Sequence, residues 1–427
     1  MIDALKHNLM EGRIFMGFAA LRAAGHVLMA LVPIIIARFF TPEIFGIYSL
    51  SIMIVYFFTA LLISSSNAPF VIYARQELRE SGKINKAFTA RMLFLASAVI
   101  MFFILSMLLL HPLTRFASIT KGQFMFLFAA YAGLGIKYSF ETMLLALNKR
   151  TAHALFGLAT GITSVLYIVL AYFLSALTLE NIFLMFFISP LLAMPFFITR
   201  IDVTKIFPMA LDRELLKNML RYTRWVMLGG TAVYFINWGD NLVLRYFVSL
   251  EEVGMYNLGY QVFKGMIMLV GSIKLYFLPF IAEHIENQHK IRNYLYHKRP
   301  RIMLLGALGI VALFFSLPSI FTALYGNSYR ESALVAQILT IPLIFILYQS
   351  FYMPLFETMK KFKFTQSMNV LLVTVNIALD IILVMYVGVL GAAIATAITY
   401  ILSGVLYEIY FIKYVHRNLV GDSFPTR

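Results

Sequence analysis

Apolar runs long enough to cross a membrane recur along the whole chain, and no other feature limits its fold as much. They lie near 14–37, 45–70, 88–110, 122–147, 153–175, 181–199, 222–247, 254–282, 302–325, 332–358, 364–386 and 389–412. A helix needs about 20 residues to cross a hydrocarbon layer roughly 30 Å thick. Within that layer the backbone must satisfy its own hydrogen bonds, so repeated spans predict helices. The expected fold class is an all-α polytopic membrane protein of about 12 transmembrane helices. Composition agrees, with 61% hydrophobic and 13% charged residues among 427, where a soluble domain carries about 25% charged. Pro33, Pro69, Pro190, Pro195, Pro279, Pro318, Pro342 and Pro354 fall within or at the ends of these runs and predict bends. The absence of cysteine excludes disulfides and thiolate metal sites. The run from Ile14 is too long for a cleavable signal and reads as an uncleaved first span.

Lysine and arginine set the expected orientation. With the N-terminus inside, 26 of the 35 basic residues fall in inner segments, and every inner segment is basic. The outer segments hold only Arg38, Arg115, Lys121, Arg245 and Arg330. The net charge of +15 therefore belongs to the cytoplasmic membrane face, where anionic lipid favours it, and not to a nucleic-acid surface. Both termini are expected in the cytoplasm.

Three short patterns recur at nearly constant offset. Arg38-Phe39-Phe40 with Gly46-Ile47-Tyr48-Ser49-Leu50 matches Arg245-Tyr246-Phe247 with Gly254-Met255-Tyr256-Asn257-Leu258. Pro69-Phe70-Val71 matches Pro279-Phe280-Ile281 at an offset of 210. Ser139-Phe140, Leu144 and Lys149-Arg150 match Ser350-Phe351, Leu355 and Lys360-Lys361 at an offset of 211. Six spans per half return the chain to the same side, so the halves are parallel repeats with a central cavity exposed by rocking. The expected division is an N-terminal six-helix lobe at 1–199, a cytoplasmic linker at 200–221 and a C-terminal six-helix lobe at 222–427. The linker is expected to include a short surface helix.

Charges at bilayer depth cost at least a few kcal/mol and so face a cavity or a partner. The candidates are Arg22 and His26 in the first span, Lys137 and Glu141 in the fourth, Lys264 and Lys274 in the eighth, Asp240 in the seventh and Asp380 in the eleventh. Structural readings compete with functional ones. Lys137 and Glu141, one turn apart, suit an internal ion pair. Arg22 suits carbonyls of bent helices, Lys274 suits snorkelling, His26 suits an interhelical hydrogen bond, and Asp240 beside Asn237, Trp238 and Asn241 suits a polar cluster. Taken together, Arg22, Lys137, Lys264 and Lys274 look unpaired and bias the interior positive. That favours an anionic phosphate or pyrophosphate headgroup whose lipid tail stays in the bilayer. Tyr131, Tyr138, Tyr234 and Trp238 are candidate generic contacts for sugars.

The strings FFTPEIFGIYSLSI (39–52), DNLVLRYFVSLEEVGMYNLGYQVFKGM (240–266) and GVLGAAIATAITYILSGVLY (388–407) carry a family resemblance. With them, the chain resembles the bacterial polysaccharide flippases, the O-antigen or repeat-unit translocases of the multidrug/oligosaccharidyl-lipid/polysaccharide exporter superfamily. The resemblance implies a non-enzymatic transporter in the bacterial cytoplasmic (inner) membrane that serves lipopolysaccharide or capsule biosynthesis. It implies movement of an undecaprenyl-diphosphate-linked oligosaccharide to the outer leaflet by alternating access, without a cofactor. Coupling to H+ or Na+ through Asp240, Asp380 or Glu141 would belong to that mechanism, as would contact with glycan-assembly membrane proteins. Related lipid II flippases use cavity arginines, and only Arg22 occupies a comparable place here.

A cation-coupled multidrug exporter of the same superfamily is the nearest alternative, although such cavities tend to be acidic. A membrane-embedded glycan polymerase or ligase would need a sizeable outer loop or a carboxylate constellation. No Walker-type phosphate loop occurs. The run Glu283-His284-Ile285-Glu286-Asn287-Gln288-His289 spaces its histidines five apart, not four, and reads as a solvated loop.

Overall fold

The computed structural model describes residues 2–359 and 361–414, without the side chains of residues 2–19, 26, 272, 275, 276, 279, 282, 362 and 414. Among the described residues the chain is helical throughout, with no strand. The helices are α1 (Ile2–Phe39), α2 (Pro42–Phe58), α3 (Asn67–Ser81), α4 (Asn85–Leu108), α5 (Leu110–Ala117), α6 (Lys121–Ala146), α7 (Arg150–Phe173), α8 (Leu179–Ala193) and α9 (Pro195–Ile198). There follow α10 (Arg213–Phe247), α11 (Leu250–His284), α12 (Gln288–Asn293), α13 (Arg299–Tyr325), α14 (Arg330–Thr340), α15 (Leu343–Ser350), α16 (Met353–Thr358), α17 (Phe362–Val387) and α18 (Val389–Tyr414).

Helix covers each apolar stretch seen in the sequence. Eight segments among the described residues are long and apolar enough to cross a membrane, or nine if α5 and α6, bent by 95° at their junction, count as one span. Neither α10 nor α11 is among them. Asn237, Asp240 and Asn241 interrupt the apolar run of the first, and the second includes residues whose side chains lie outside the description. The protein is thus a multi-pass helical membrane protein.

Two compact units are present. The first holds 1–36 and 47–234, and the second holds 37–46 and 235–427. None of the three boundaries falls within 200–221. From Arg213 that stretch already belongs to α10, and its earlier part carries only a 3-10 turn, Val203–Lys205. The reason is that the linker is hydrogen-bonded onto α4. Ile84 N donates to Lys205 O at 2.8 Å, Asn85 Nδ2 to Pro208 O at 2.8 Å, and Lys86 Nζ pairs with Asp212 Oδ2 at 3.1 Å. Ile206 and Met219 complete a buried cluster with Phe70, Ala74, Ala87 and Leu147. Residues 200–221 are therefore packed into the first unit.

In that unit α2 and α3 form one helical path broken by a π-helical turn, Thr59–Ile63, and a 3-10 turn, Ser64–Ser66. Arg91 of α4, only 1% exposed, answers the break. It donates to Ile63 O at 3.2 Å, to Asn67 Oδ1 at 2.5 Å and to Ser66 Oγ. The buried guanidinium thus satisfies groups at a π and 3-10 irregularity that contains no proline. Glycine permits the closest helix contacts of this unit: a Cβ on Gly133 of α6 would lie 2.1 Å from Phe186 O of α8.

In the second unit a capping box opens α11, with Ser249 Oγ accepting from Glu252 N at 3.2 Å and Glu252 Oε2 accepting from Ser249 N at 3.0 Å. Glu251 and Glu252 of the string 240–266 lie in this first turn. The same helix packs on α14 through Gly259, whose Cβ would lie 2.7 Å from Ser332 O. At the end of α17, Gly388 takes φ +64°, and Gly391 then brings α18 back against Leu383 O.

Candidate functional site

Each unit gathers part of the polar set expected from sequence. In the first, α1 approaches α7 through glycines: a Cβ on Gly25 would lie 3.0 Å from Leu158 N, and one on Gly161 2.9 Å from Leu28 Cβ. Gly25 is one turn beyond Arg22, so the same approach brings that side chain toward α7. His153 of α7 shares a 3.1 Å hydrogen bond between its Nδ1 and Glu141 O of α6, and the charges of Arg22 and Lys137 both act on its ring. Lys137 Nζ lies 5.8 Å from the centre of the Tyr138 ring. Arg22, Lys137 and Glu141 are therefore brought to one locus by three helices. His153 joins them, and sequence reasoning missed it because a lone histidine at the start of a span gives no local signal. The His26 side chain lies outside the described residues.

In the second unit the two aspartates named from sequence meet. Asp240 of α10 is 2% exposed and Asp380 of α17 is wholly buried. Asp240 Oδ2 accepts from Tyr256 Oη of α11 and, at 2.9 Å, from Thr396 Oγ1 of α18. Thr396 Oγ1 in turn lies 3.5 Å from Asn376 Nδ2 of α17. The negative charges of the two carboxyls act on one another, so the aspartates adjoin. With both ionised, Asp240 Oδ1 and both oxygens of Asp380 have no hydrogen-bond donor among the described residues. Three orphaned carboxyl oxygens in a buried site call for a proton or a hard cation, which oxygen donors suit. Beside them, Asn257 Nδ2 donates to Asn241 Oδ1 at 2.5 Å, completing a polar seam between α10 and α11.

Lys264 adjoins this seam. Its Nζ is 3.9 Å from the centre of the Trp238 ring and 4.8 Å from that of Tyr260, and the charge of Asp240 acts on it. The expectation that Lys264 has no acid nearby is corrected: the acid comes from the adjacent helix, not from its own. Lys274 is corrected too. Its Nζ pairs with Glu357 Oε1 of α16 at 2.5 Å, so it is not an unpaired cation. The sugar-contact candidates divide. Tyr131 is buried, stacked on Phe102 at 4.0 Å, with its hydroxyl on Ala98 O at 3.3 Å. Tyr234 donates to Met53 O at 3.0 Å. Both spend their hydroxyls inside the protein, while Trp238 supports Lys264.

The sequence profile of the polysaccharide biosynthesis proteins matches residues 35–334, and the chain belongs to that family. Among curated relatives, it is 23% identical over 227 residues to an uncharacterized membrane protein of Methanocaldococcus jannaschii, across 50% of this chain and 44% of that protein. It is 22% identical over 204 residues to the protein described as the probable low-salt glycan biosynthesis flippase Agl15 of Haloferax volcanii, across 47% of this chain and 43% of that one. The matched part is thus under half the length of each relative. Among solved structures, the lipid II flippase MurJ in an inward closed conformation superposes with a TM-score of 0.77 at 15% identity, over 93% of this chain and 87% of that one. A multidrug resistance MATE family transporter of the MOP superfamily in an inward-facing conformation gives the same TM-score at 11% identity, over 95% and 100%. The chain shares its fold with both of these structures, as the resemblance in the sequence implied.

Proposed function

We propose that this protein is a flippase that moves a polyprenyl-diphosphate-linked oligosaccharide across the membrane by alternating access, with an H+ or Na+ gradient as the driving force. The fold does not choose between a lipid flippase and a multidrug exporter, since both superpose equally well. Membership of the polysaccharide biosynthesis family over residues 35–334 carries the choice. The half-buried cations Lys137 and Lys264 support it, because an anionic headgroup is what such groups attract in a medium of low dielectric. In a bacterium the carrier would be undecaprenyl diphosphate, the place the inner membrane, and the product a lipopolysaccharide or capsule repeat unit. Twelve spans with both termini inside, as the lysine and arginine bias indicates, complete the reading.

In this reading Arg22, Lys137 and Lys264 meet the diphosphate, and the Asp240–Asp380 pair holds the coupling ion. The test is export of surface glycan from a deletion strain complemented at native expression. Arg22→Ala and Lys264→Ala should each abolish export and leave lipid-linked oligosaccharide on the inner leaflet. Normal export in both variants would remove these residues from the site. Asp240→Asn and Asp380→Asn should each lose the dependence of transport on the ion gradient, and retained dependence in both would refute the ion assignment.

A further inference from the structure

Lys264 occupies an aromatic cage that is wired to the aspartate pair. Trp238 of α10 and Tyr260 of α11 form the cage, with ring centres 3.9 and 4.8 Å from the ammonium. Tyr260 stacks on Tyr256 at 5.5 Å between centroids, and Tyr256 donates to Asp240. On the other side Phe263 connects Tyr260 to Tyr400 of α18. One stacking contact and one hydrogen bond therefore separate the cage from the Asp240 carboxyl, whose other oxygen has no donor among the described residues.

Two forces hold the ammonium in place. Cation–π attraction holds the charge over the two rings, more strongly the further it is desolvated. The negative charge of Asp240 adds to it. A cation entering the carboxyl pair cancels the second force and repels the ammonium, both strongly at low dielectric. Lysine can respond, because its charge sits on a flexible four-carbon stem and not on a rigid fork. We propose that Lys264 links the ion site to anion binding: it is caged while the aspartate pair is empty and is released toward a diphosphate when a small hard cation fills the pair. This inference rests on the flippase reading and names the residue that joins its two ligands. By linkage, each ligand must then tighten the other by the same factor.

The experiment uses the purified full-length protein in detergent at fixed pH. Binding of farnesyl diphosphate, a short polyprenyl diphosphate, is measured in sodium chloride and in choline chloride at equal ionic strength. Sodium binding is followed separately with radioactive sodium. The wild type should bind farnesyl diphosphate more tightly in sodium, within the roughly 5–150-fold range of allosteric couplings. Lys264→Gln should bring that ratio to about one while sodium still binds, and Lys264→Arg should preserve part of it. Trp238→Leu, which opens the cage, should raise affinity in choline and so shrink the ratio from the opposite side. A lysine that merely supports the fold would lower both affinities and leave the ratio unchanged, and that result overturns the proposal. So does a wild type that binds both ligands without coupling. Failure of the wild type to bind sodium would instead overturn the ion site, and failure to bind the diphosphate would overturn the flippase reading, each taking the inference with it.

Discussion

Gly46 and Gly254 pack backbone against backbone. A Cβ on Gly254 would lie 1.8 Å from Pro42 O, and one on Gly46 would lie 2.0 Å from Leu250 O. These are the two glycines that the repeated pattern Gly-x-Tyr matches to one another, and the contact between them is reciprocal. Each opens a helix, α2 and α11, and each admits the first residues of the other. Only glycine allows this, because both carbonyls occupy the space of a side chain.

Alanine at either position should therefore destabilise the protein, by more than the roughly 1–3 kcal/mol typical of overpacking, since the obstacle is backbone and not a movable side chain. Thermal melting of Gly46→Ala and Gly254→Ala in detergent checks this. Gly265→Ala on the same α11, where a Cβ would meet nothing within 4 Å, is the control and should melt at or above the wild-type temperature. Equal melting of Gly254→Ala and Gly265→Ala would contradict the packing argument.

Arg91 should resist even conservative replacement. It donates to Ile63 O, Ser66 Oγ and Asn67 Oδ1 from a site 1% exposed. A hydrogen bond to a charged group contributes about 1.5–3 kcal/mol. Arg91→Met should cost several such bonds and melt the break at Thr59–Ser66. Lysine offers a point charge where three acceptors surround a planar fork, so Arg91→Lys should recover little. Yield and melting temperature of the purified variants measure both effects, and an Arg91→Lys variant as stable as the wild type would refute the claim.

The Lys274–Glu357 pair should behave as a true partnership, although a modest one. Both side chains are about a third exposed, which screens the attraction. A double-mutant cycle with Lys274→Met and Glu357→Gln should give a coupling of about 1 kcal/mol or less. Exchanging the two charges should restore part of the lost stability. Independent, additive effects would show that the contact contributes nothing.

Much of this molecule was legible from its residues, and what was not has a physical reason. Helix positions follow from apolar run length, since the bilayer sets that length. The aspartates were legible as a pair of candidates because burial of charge is rare in apolar spans. Their meeting across α10 and α17, with Thr396 as donor, depends on tertiary packing that no local pattern encodes. Lys274 shows the converse: its acid lies 83 residues away in the chain, so it looked solitary. His153 and Arg91 carry no periodic signature, and the attachment of the linker to Asn85 and Lys86 joins residues more than 120 positions apart, which no local pattern announces.

Asp212 shows how the linker ends, and it makes the last prediction. Its Oδ1 accepts from Leu215 N at 3.0 Å and from Glu214 N at 3.1 Å, capping α10, while Oδ2 meets Lys86. The Leu215 amide first, and the Lys86 ammonium next, hold its carboxyl below the ordinary value of 3.8. A carboxyl whose pKa is lower in the folded state contributes stability that is complete above the unfolded value and fades as pH falls through the folded one. Asp212→Ala should thus lower stability at neutral pH by about 0.5–2 kcal/mol, the usual worth of a cap. Asp212→Asn, which keeps the cap and loses only the exposed pairing with Lys86, should lower it by less than about 1 kcal/mol. Melting curves of the three proteins at pH 7 and again below the ordinary value of 3.8 test the sign. The gap between wild type and Asp212→Asn should close in acid. A gap that widens there would mean that the carboxylate is not what holds the linker to α10.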